Sequence, residues 1–326
     1  MRNICLKNIL FLLIVALFVF VGSNSIVSAE ESVKFESGKI QADIFDSIIL
    51  TGKVYILVGG RGKIYRSVDG GQYWTIIQSN TTEQLFSICF PDAINGWIVG
   101  SSGIILHSSD GGESWSVQSN VNKKNLFSIY FSDPLHGCAV GDWGVVVRTE
   151  DGGTTWQDVS LPKDVILYGV QFADCEHGLM VGEFGQIFST QDGGRTWEGV
   201  STTATDQTLF CINMDMNNKI SVAAGLGGII VYSLDRGKTW IKAQSNSTAA
   251  IYGITICGDQ AWAVGNKGTV LHSIDSGRSW KREKTSEEIK HSWFCTVSYT
   301  CSNKHVGFMA GAHGLLYRIT GQKLIW

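Results

Sequence analysis

The chain has 326 residues, of which 26 are basic and 29 acidic, giving a net charge of −3, and it carries 38 glycines against 3 prolines. That balance excludes the basic stripe a nucleic-acid binder needs, and no low-complexity linker divides the chain. Many glycines with few prolines fit short strands joined by tight turns.

Residues 1–29 read as a secretory signal. Arg2 and Lys7 form a basic start, Ile9–Val21 is a 13-residue apolar core, and Val27-Ser28-Ala29 is a small-residue cleavage site. The core is short for a membrane span, so cleavage before Glu30 is expected. The mature balance is then 24 basic to 29 acidic. Cys5 precedes the apolar core and cannot serve as a lipid acceptor. Export across the cytoplasmic membrane follows as an expectation, to the cell surface, the medium, or a periplasm or thylakoid lumen.

From residue 44 onward one unit recurs. The pattern [S/T]-x-D-x-G-x-x-W occurs at Ser67–Trp74, Ser108–Trp115, Thr149–Trp156, Thr190–Trp197, Ser233–Trp240 and Ser273–Trp280, with tryptophans 41, 41, 41, 43 and 40 residues apart. A G-x-x-G step stands upstream: Gly59/Gly62, Gly100/Gly103, Gly141/Gly144, Gly182/Gly185, Gly225/Gly228, Gly265/Gly268 and Gly311/Gly314. Each tryptophan lies 15 residues after the first glycine of its step, and so does the last residue, Trp326. The seventh unit has therefore kept its frame and lost its Asp turn. An aromatic opens each unit (Phe45, Phe86, Phe127, Tyr168, Phe210, Tyr252 and Phe294) and begins a short apolar alternation of strand type. Further strand-like runs end at the glycine step, follow it, and start at each tryptophan. Four strands in each of seven units predict an all-β fold, a seven-bladed β-propeller. The units lie near 44–80, 85–120, 126–161, 167–202, 209–245, 251–285 and 293–326, in one domain spanning 30–326.

With its fourth strand counted from Trp326, the last unit lacks one, and an open edge needs a cover. The alternating segment Ser32-Val33-Lys34-Phe35-Glu36 is the expected cover, so the ring is predicted to be closed by the N-terminal segment. Of the seven cysteines after the signal, Cys89, Cys211, Cys257 and Cys295 fall in strand-like runs, where cysteine acts as a small hydrophobe. Cys295 and Cys301 are near enough in sequence to pair across a turn. The absence of C-x-x-C argues against a structural zinc, and no cofactor is implied.

The aspartates Asp69, Asp110, Asp151, Asp192, Asp235 and Asp275 suit a repeated turn, since Asp accepts hydrogen bonds from N–H groups a few residues on. Six copies cannot be one active site, so these residues and Trp74, Trp115, Trp156, Trp197, Trp240 and Trp280 are read as structural. The turn resembles the Asp-box, or BNR repeat, of sialidases. The longer unit, whole in Asp133–Gly141 through Thr149–Trp156, resembles the photosystem II stability/assembly factor family of plastids, cyanobacteria and other bacteria. The resemblance covers residues 44–326. It implies an exported propeller without enzymatic activity that binds newly made photosystem II reaction-centre proteins.

The alternative is an extracytoplasmic carbohydrate-binding or sialidase-like glycosidase. Retaining hydrolysis needs two carboxyls about 5 Å apart, and the sequence singles out no such pair. Arg318-Ile319-Thr320 only partly echoes the sialidase R-I-P motif. Two columns are candidates for contacting a client protein, membrane proteins included. One, seven residues after each first glycine, reads Arg66, His107, Arg148, Ser189, Tyr232, His272 and Arg318, and would create a positive field if it bordered the channel. The other lies inside the glycine step and includes Trp143 and Phe184 beside Asp142 and Glu183. His136 and His177 are read as loop residues. The expected protein is a monomeric, non-catalytic scaffold.

Overall fold

The computed structural model describes residues 40, 42–120, 123–215, 219–285, 287–300, 306–320 and 323–325. Seven antiparallel sheets of four strands follow one another along the chain, each in simple up-and-down order. Their first strands are Ile44–Thr51, Leu85–Cys89, Leu126–Phe131, Leu167–Phe172, Leu209–Asp215, Ile251–Cys257 and Phe294–Tyr299. Each first strand packs beside the next, and that of blade seven packs beside that of blade one. The result is a seven-bladed β-propeller with the first strands innermost.

The core lies in the seams between blades, not within any one sheet. Trp97 and Val99 of blade two pack with Leu126, Ile129 and Phe131 of blade three. The tryptophan that follows each D-x-G turn is inserted into the seam with the preceding blade: Trp115 against Ile56 and Val58, Trp240 against Leu179 and Val181, Trp280 against Ile220 and Val222. The glycine before it explains its own retention. A Cβ on Gly112, at φ +77, would come within 2.4 Å of Ile56 Cδ1 in the neighbouring blade. The preceding position faces fewer neighbours and holds Arg236 and Ser276 at φ +62 and +61 in two blades.

Ring closure uses the same seam chemistry. Tyr55 and Leu57 of blade one pack with Phe308 and Ala310 of blade seven, and Ile40 and Ala42 pack against this cluster. Ser47 Oγ lies 3.1 Å from Thr296 Oγ1 and 2.9 Å from Ser298 Oγ, and the His313 N–H donates to Asp43 Oδ1 at 2.8 Å. Asp46 joins three blades. It accepts from Thr296 in blade seven, from the Ser87 hydroxyl and Ile88 N–H in blade two, and from its neighbour Ser47 N–H. Burial nevertheless pushes its carboxyl above the usual range.

Two expectations need correction. Blade seven has its own outer strand, Lys323–Ile325, paired to Leu316–Thr320. Two residues separate those strands where every other blade uses seven, so losing the Asp turn brings the strand forward instead of removing it. The predicted cover at residues 32–36, like the signal at 1–29, lies outside the described residues. Cys295 is a free thiol, so it does not pair with Cys301. Cys257 is disulfide-bonded. Before blade seven, the turn Glu287–His291 buries Ile289 against Trp262 and Phe294.

Candidate protein-interaction face

Strand register defines the two ends of the ring. The residue opening each inner strand pairs with the first glycine of the G-x-x-G step, as in Ile44↔Gly59, Leu85↔Gly100 and Leu126↔Gly141. The aromatic column and the glycine steps therefore share one end, and the D-x-G turns occupy the other. Each step is a tight turn, a single 3-10 turn in every blade but the sixth, whose first inner residue donates its N–H to the carbonyl just before the inner strand. Examples are Asp142 to Asn125 at 3.0 Å, Glu183 to Ile166 at 3.1 Å and Leu226 to Thr208 at 2.8 Å. The second inner residue is left-handed and exposed in all seven blades: Arg61, Ser102, Trp143, Phe184, Gly227, Lys267 and His313 at φ between +53 and +68. Bulky side chains are disfavoured there by roughly 1–2 kcal/mol. This rim holds six non-glycine residues in that conformation, and they differ from blade to blade.

Within the rim the aromatic column forms a collar. Centroids of Phe45, Phe86, Phe127, Tyr168, Phe210 and Tyr252 follow one another at 5.6, 5.3, 5.6, 5.2 and 5.5 Å. The collar lines a central cavity of about 550 Å³, where Asp46 is the sole acid or base among the described lining residues. In blade seven the collar position is Cys295, not Phe294. Phe294 pairs with Gly311 as Ile44 pairs with Gly59 and Leu85 with Gly100, so it holds the strand-opening position and is fully buried, while the next residue, Cys295, lines the channel. Burial, with Asp43 and Asp46 nearby, pushes the Cys295 thiol pKa upward.

On blades three and four the rim and collar meet in one cluster. Trp143 is 41% and Phe184 62% exposed. Asp142 beside Trp143 is 6% exposed and accepts from Asn125 Nδ2 at 2.8 Å, while Glu183 beside Phe184 accepts from the Ile166 N–H at 3.0 Å. Burial raises the Asp142 pKa, the Asn125 contacts oppose this, and Glu183 adds to it. The Tyr168 hydroxyl is likewise pushed up by burial and then by Glu183 and Asp142. Two carboxylates and a phenol thus share one electrostatic neighbourhood between exposed rings. Leu226, the first inner residue of blade five, extends the apolar arc at 41% exposure. Blades six, seven and one present Lys267, His313 and Arg61 instead.

The other candidate column lies elsewhere. Arg66, Arg148 and Arg318 sit on third strands, away from the channel. Arg66 Nε donates to Gly111 O of the next blade at 3.1 Å and its guanidinium pairs with Glu113. Arg148, 3% exposed, donates to Gly193 O at 3.1 Å, to Gln157 and to Glu150. Arg318 occupies the same place facing blade one, where it acts electrostatically on Tyr55. His107 and His272 of this column lie against Trp97 and Trp262, at 4.7 and 4.0 Å between centroids.

The turn aspartates are engaged in their own loops. Asp110 Oδ1 accepts from Ser108 Oγ at 2.8 Å and Ser114 N–H at 3.0 Å, and Ser108 Oγ in turn accepts from Gly112 N–H. The same contacts recur at Asp69, Asp151, Asp192, Asp235 and Asp275. Burial acts upward on Asp110 and Asp192, but hydrogen bonds outweigh it and hold both at about 2. A folded pKa below the unfolded value gives stabilisation that is complete above about pH 4 and lost as pH falls through about 2. Asp110→Asn and Asp192→Asn are therefore expected to flatten the loss of stability over that window, read as urea midpoints against pH. His136 and His177 are bonded to Asp133 and Asp174 in their own loops. Among the described residues no three ligand-type side chains gather into a metal site.

Sequence spacing marked the rim column, Trp143 and Phe184 included, and found the aromatic column as strand openers, but did not read its rings as a collar around the channel. The signal was available: in blades one to four the aromatic precedes the first glycine by a constant 14 residues.

Comparisons with known proteins agree with this architecture. A structure titled YCF48 bound to D1 peptide superposes with a TM-score of 0.69 at 23% identity, covering 86% of this chain and 92% of that one. YCF48 from Cyanidioschyzon merolae gives 0.67 at 18%, covering 86% and 95%. The GH74 xyloglucanase from Xanthomonas campestris gives 0.72 at 11%, covering 88% of this chain and 53% of that enzyme. At such identities these likenesses speak for the fold alone. No significant relative is found among curated proteins. The family described as photosynthesis system II assembly factor YCF48 matches residues 24–123, 154–250 and 249–320, and the chain belongs to that family.

Proposed function

We propose that the protein is an exported, non-catalytic scaffold that presents its collar end to a client protein and assists that client's assembly. The observation carrying this reading is the rim: seven exposed positions of identical backbone conformation, with Trp143 and Phe184 in neighbouring blades. Aromatic side chains at the centre of an interface commonly dominate its binding energy. Family membership supports a protein client, and the family structure carrying a D1 peptide is an example of one. The disulfide at Cys257 suits an oxidising, extracytoplasmic compartment, as does the signal-like sequence of residues 1–29. The turn carboxylates serve their own loops, and the arginine column serves the seams between blades. Neither is free for hydrolysis.

Affinity co-purification of the tagged protein from solubilised membranes of its own host tests this reading. A stoichiometric membrane protein is the expected companion. Retention on cell-wall glycan with no protein companion would contradict it.

A further inference from the structure

Resting on that client-binding reading, we propose that the rim of blades three and four is the docking sector, and that it takes a client segment carrying a lysine or arginine flanked by apolar side chains. Trp143 and Phe184 supply two exposed aromatic surfaces in the same turn position of adjacent blades. Behind them stand Asp142 and Glu183, and among the described residues neither has an ion-pair partner within 4 Å. The cation acting on this cluster is Lys124, which lowers the Asp142 pKa from a distance. Covering the two rings with a purely apolar segment would shield these carboxylates from water while adding no counter-charge, leaving them only their local donors, Asn125 and the Ile166 N–H. An acidic segment would be repelled.

A basic group answers both demands. Its charge meets Glu183 and Asp142, and it can lie over the faces of Trp143 and Phe184 in a cation–π contact. Apolar neighbours in the segment then cover the remaining ring surface and Leu226. Across the ring, Arg61, Lys267 and His313 occupy the homologous exposed positions and disfavour the same segment. The polarity of the rim thereby confines a basic-apolar segment to one sector.

The test uses the whole protein and two fluorescently labelled nonapeptides. One carries two lysines among leucines and valines; the other has glutamates in their place. The lysine peptide is expected to bind, to weaken as salt rises, and to lose at least tenfold in affinity in the W143G/F184G variant. Glycine accepts the left-handed backbone, so that variant should keep or raise its melting temperature. Glu183→Gln retains an oxygen for the Ile166 N–H and is expected to cost roughly fivefold.

Equal binding of the glutamate peptide, unchanged lysine-peptide binding by W143G/F184G, or preference for a neutral glucan oligosaccharide would overturn the proposal. Client co-purified by W143G/F184G at the wild-type yield would also overturn this sector, while leaving client binding itself in place. Lysine-peptide binding by a wild-type protein that recovers no client would remove the broader reading and leave the sector's chemistry standing.

Discussion

Gly225→Ala is expected to destabilise the protein by more than ~3 kcal/mol, while Gly227→Ala, two residues on in the same turn, is expected to cost about 1 kcal/mol. A Cβ at Gly225 would lie 1.9 Å from the Thr208 carbonyl oxygen and 2.8 Å from Leu209 Cα. Both atoms belong to the backbone, and that carbonyl is the acceptor for the Leu226 N–H at 2.8 Å. Relief would require moving the start of the inner strand away from the turn, which breaks this bond and displaces Leu209 and Phe210 from seam and collar. Gly227 meets nothing within 4 Å, and its φ of +68 is the conformation in which other blades hold Arg, Ser, Trp, Phe, Lys and His. At roughly 2–3 °C per kcal/mol for a chain of this size, the two melting temperatures should separate by several degrees. Equal shifts would mean that the close approach does not constrain the turn.

The second large effect is expected at Arg148. Its replacement by alanine removes a side chain that is 3% exposed and hydrogen-bonded to Gly193 O, Gln157 and Glu150. The change orphans a carbonyl in the seam between blades three and four and opens a cavity there. Losing one side of such a buried, charge-assisted set costs about 3 kcal/mol. Glu150 would keep a partner in Arg195, so most of the penalty comes from the seam. Urea denaturation should show it, with client recovery at low temperature unchanged. Loss of client without loss of stability would return Arg148 to the binding surface.

Angular position around the ring was legible in the sequence; radial depth was not. A repeat near 41 residues shows that Arg66, Arg148 and Arg318 occupy equivalent places, but a circle drawn through equivalent places has no stated radius. Their depth depends on which strand of the blade is innermost, and the structure puts them on third strands, against the next blade's turn. Trp143 and Phe184 could be placed better because the glycines around them force a turn, and turns lie at the surface. Phe294 was misaligned because the connection between inner and second strands varies in length from blade to blade, so the count from aromatic to glycine is not constant and an aromatic one position early reads as the same pattern. The outer strand of blade seven was missed for a related reason. Its start was measured from Trp326, whereas a two-residue connection lets pairing begin at Lys323.

The central claim is that the collar end of the ring, and not the end bearing the D-x-G turns, meets a client protein. Site-specific photocross-linking tests it most directly, with p-benzoylphenylalanine placed at Phe184 in one protein and at Tyr73 in another. Both side chains are exposed, at 62% and 56%, and they stand at opposite ends of the propeller. Irradiated in membranes of the native host, the protein labelled at position 184 is predicted to form one dominant adduct with a client, and that labelled at position 73 none. A dominant protein adduct from position 73, or none from position 184, would contradict the account.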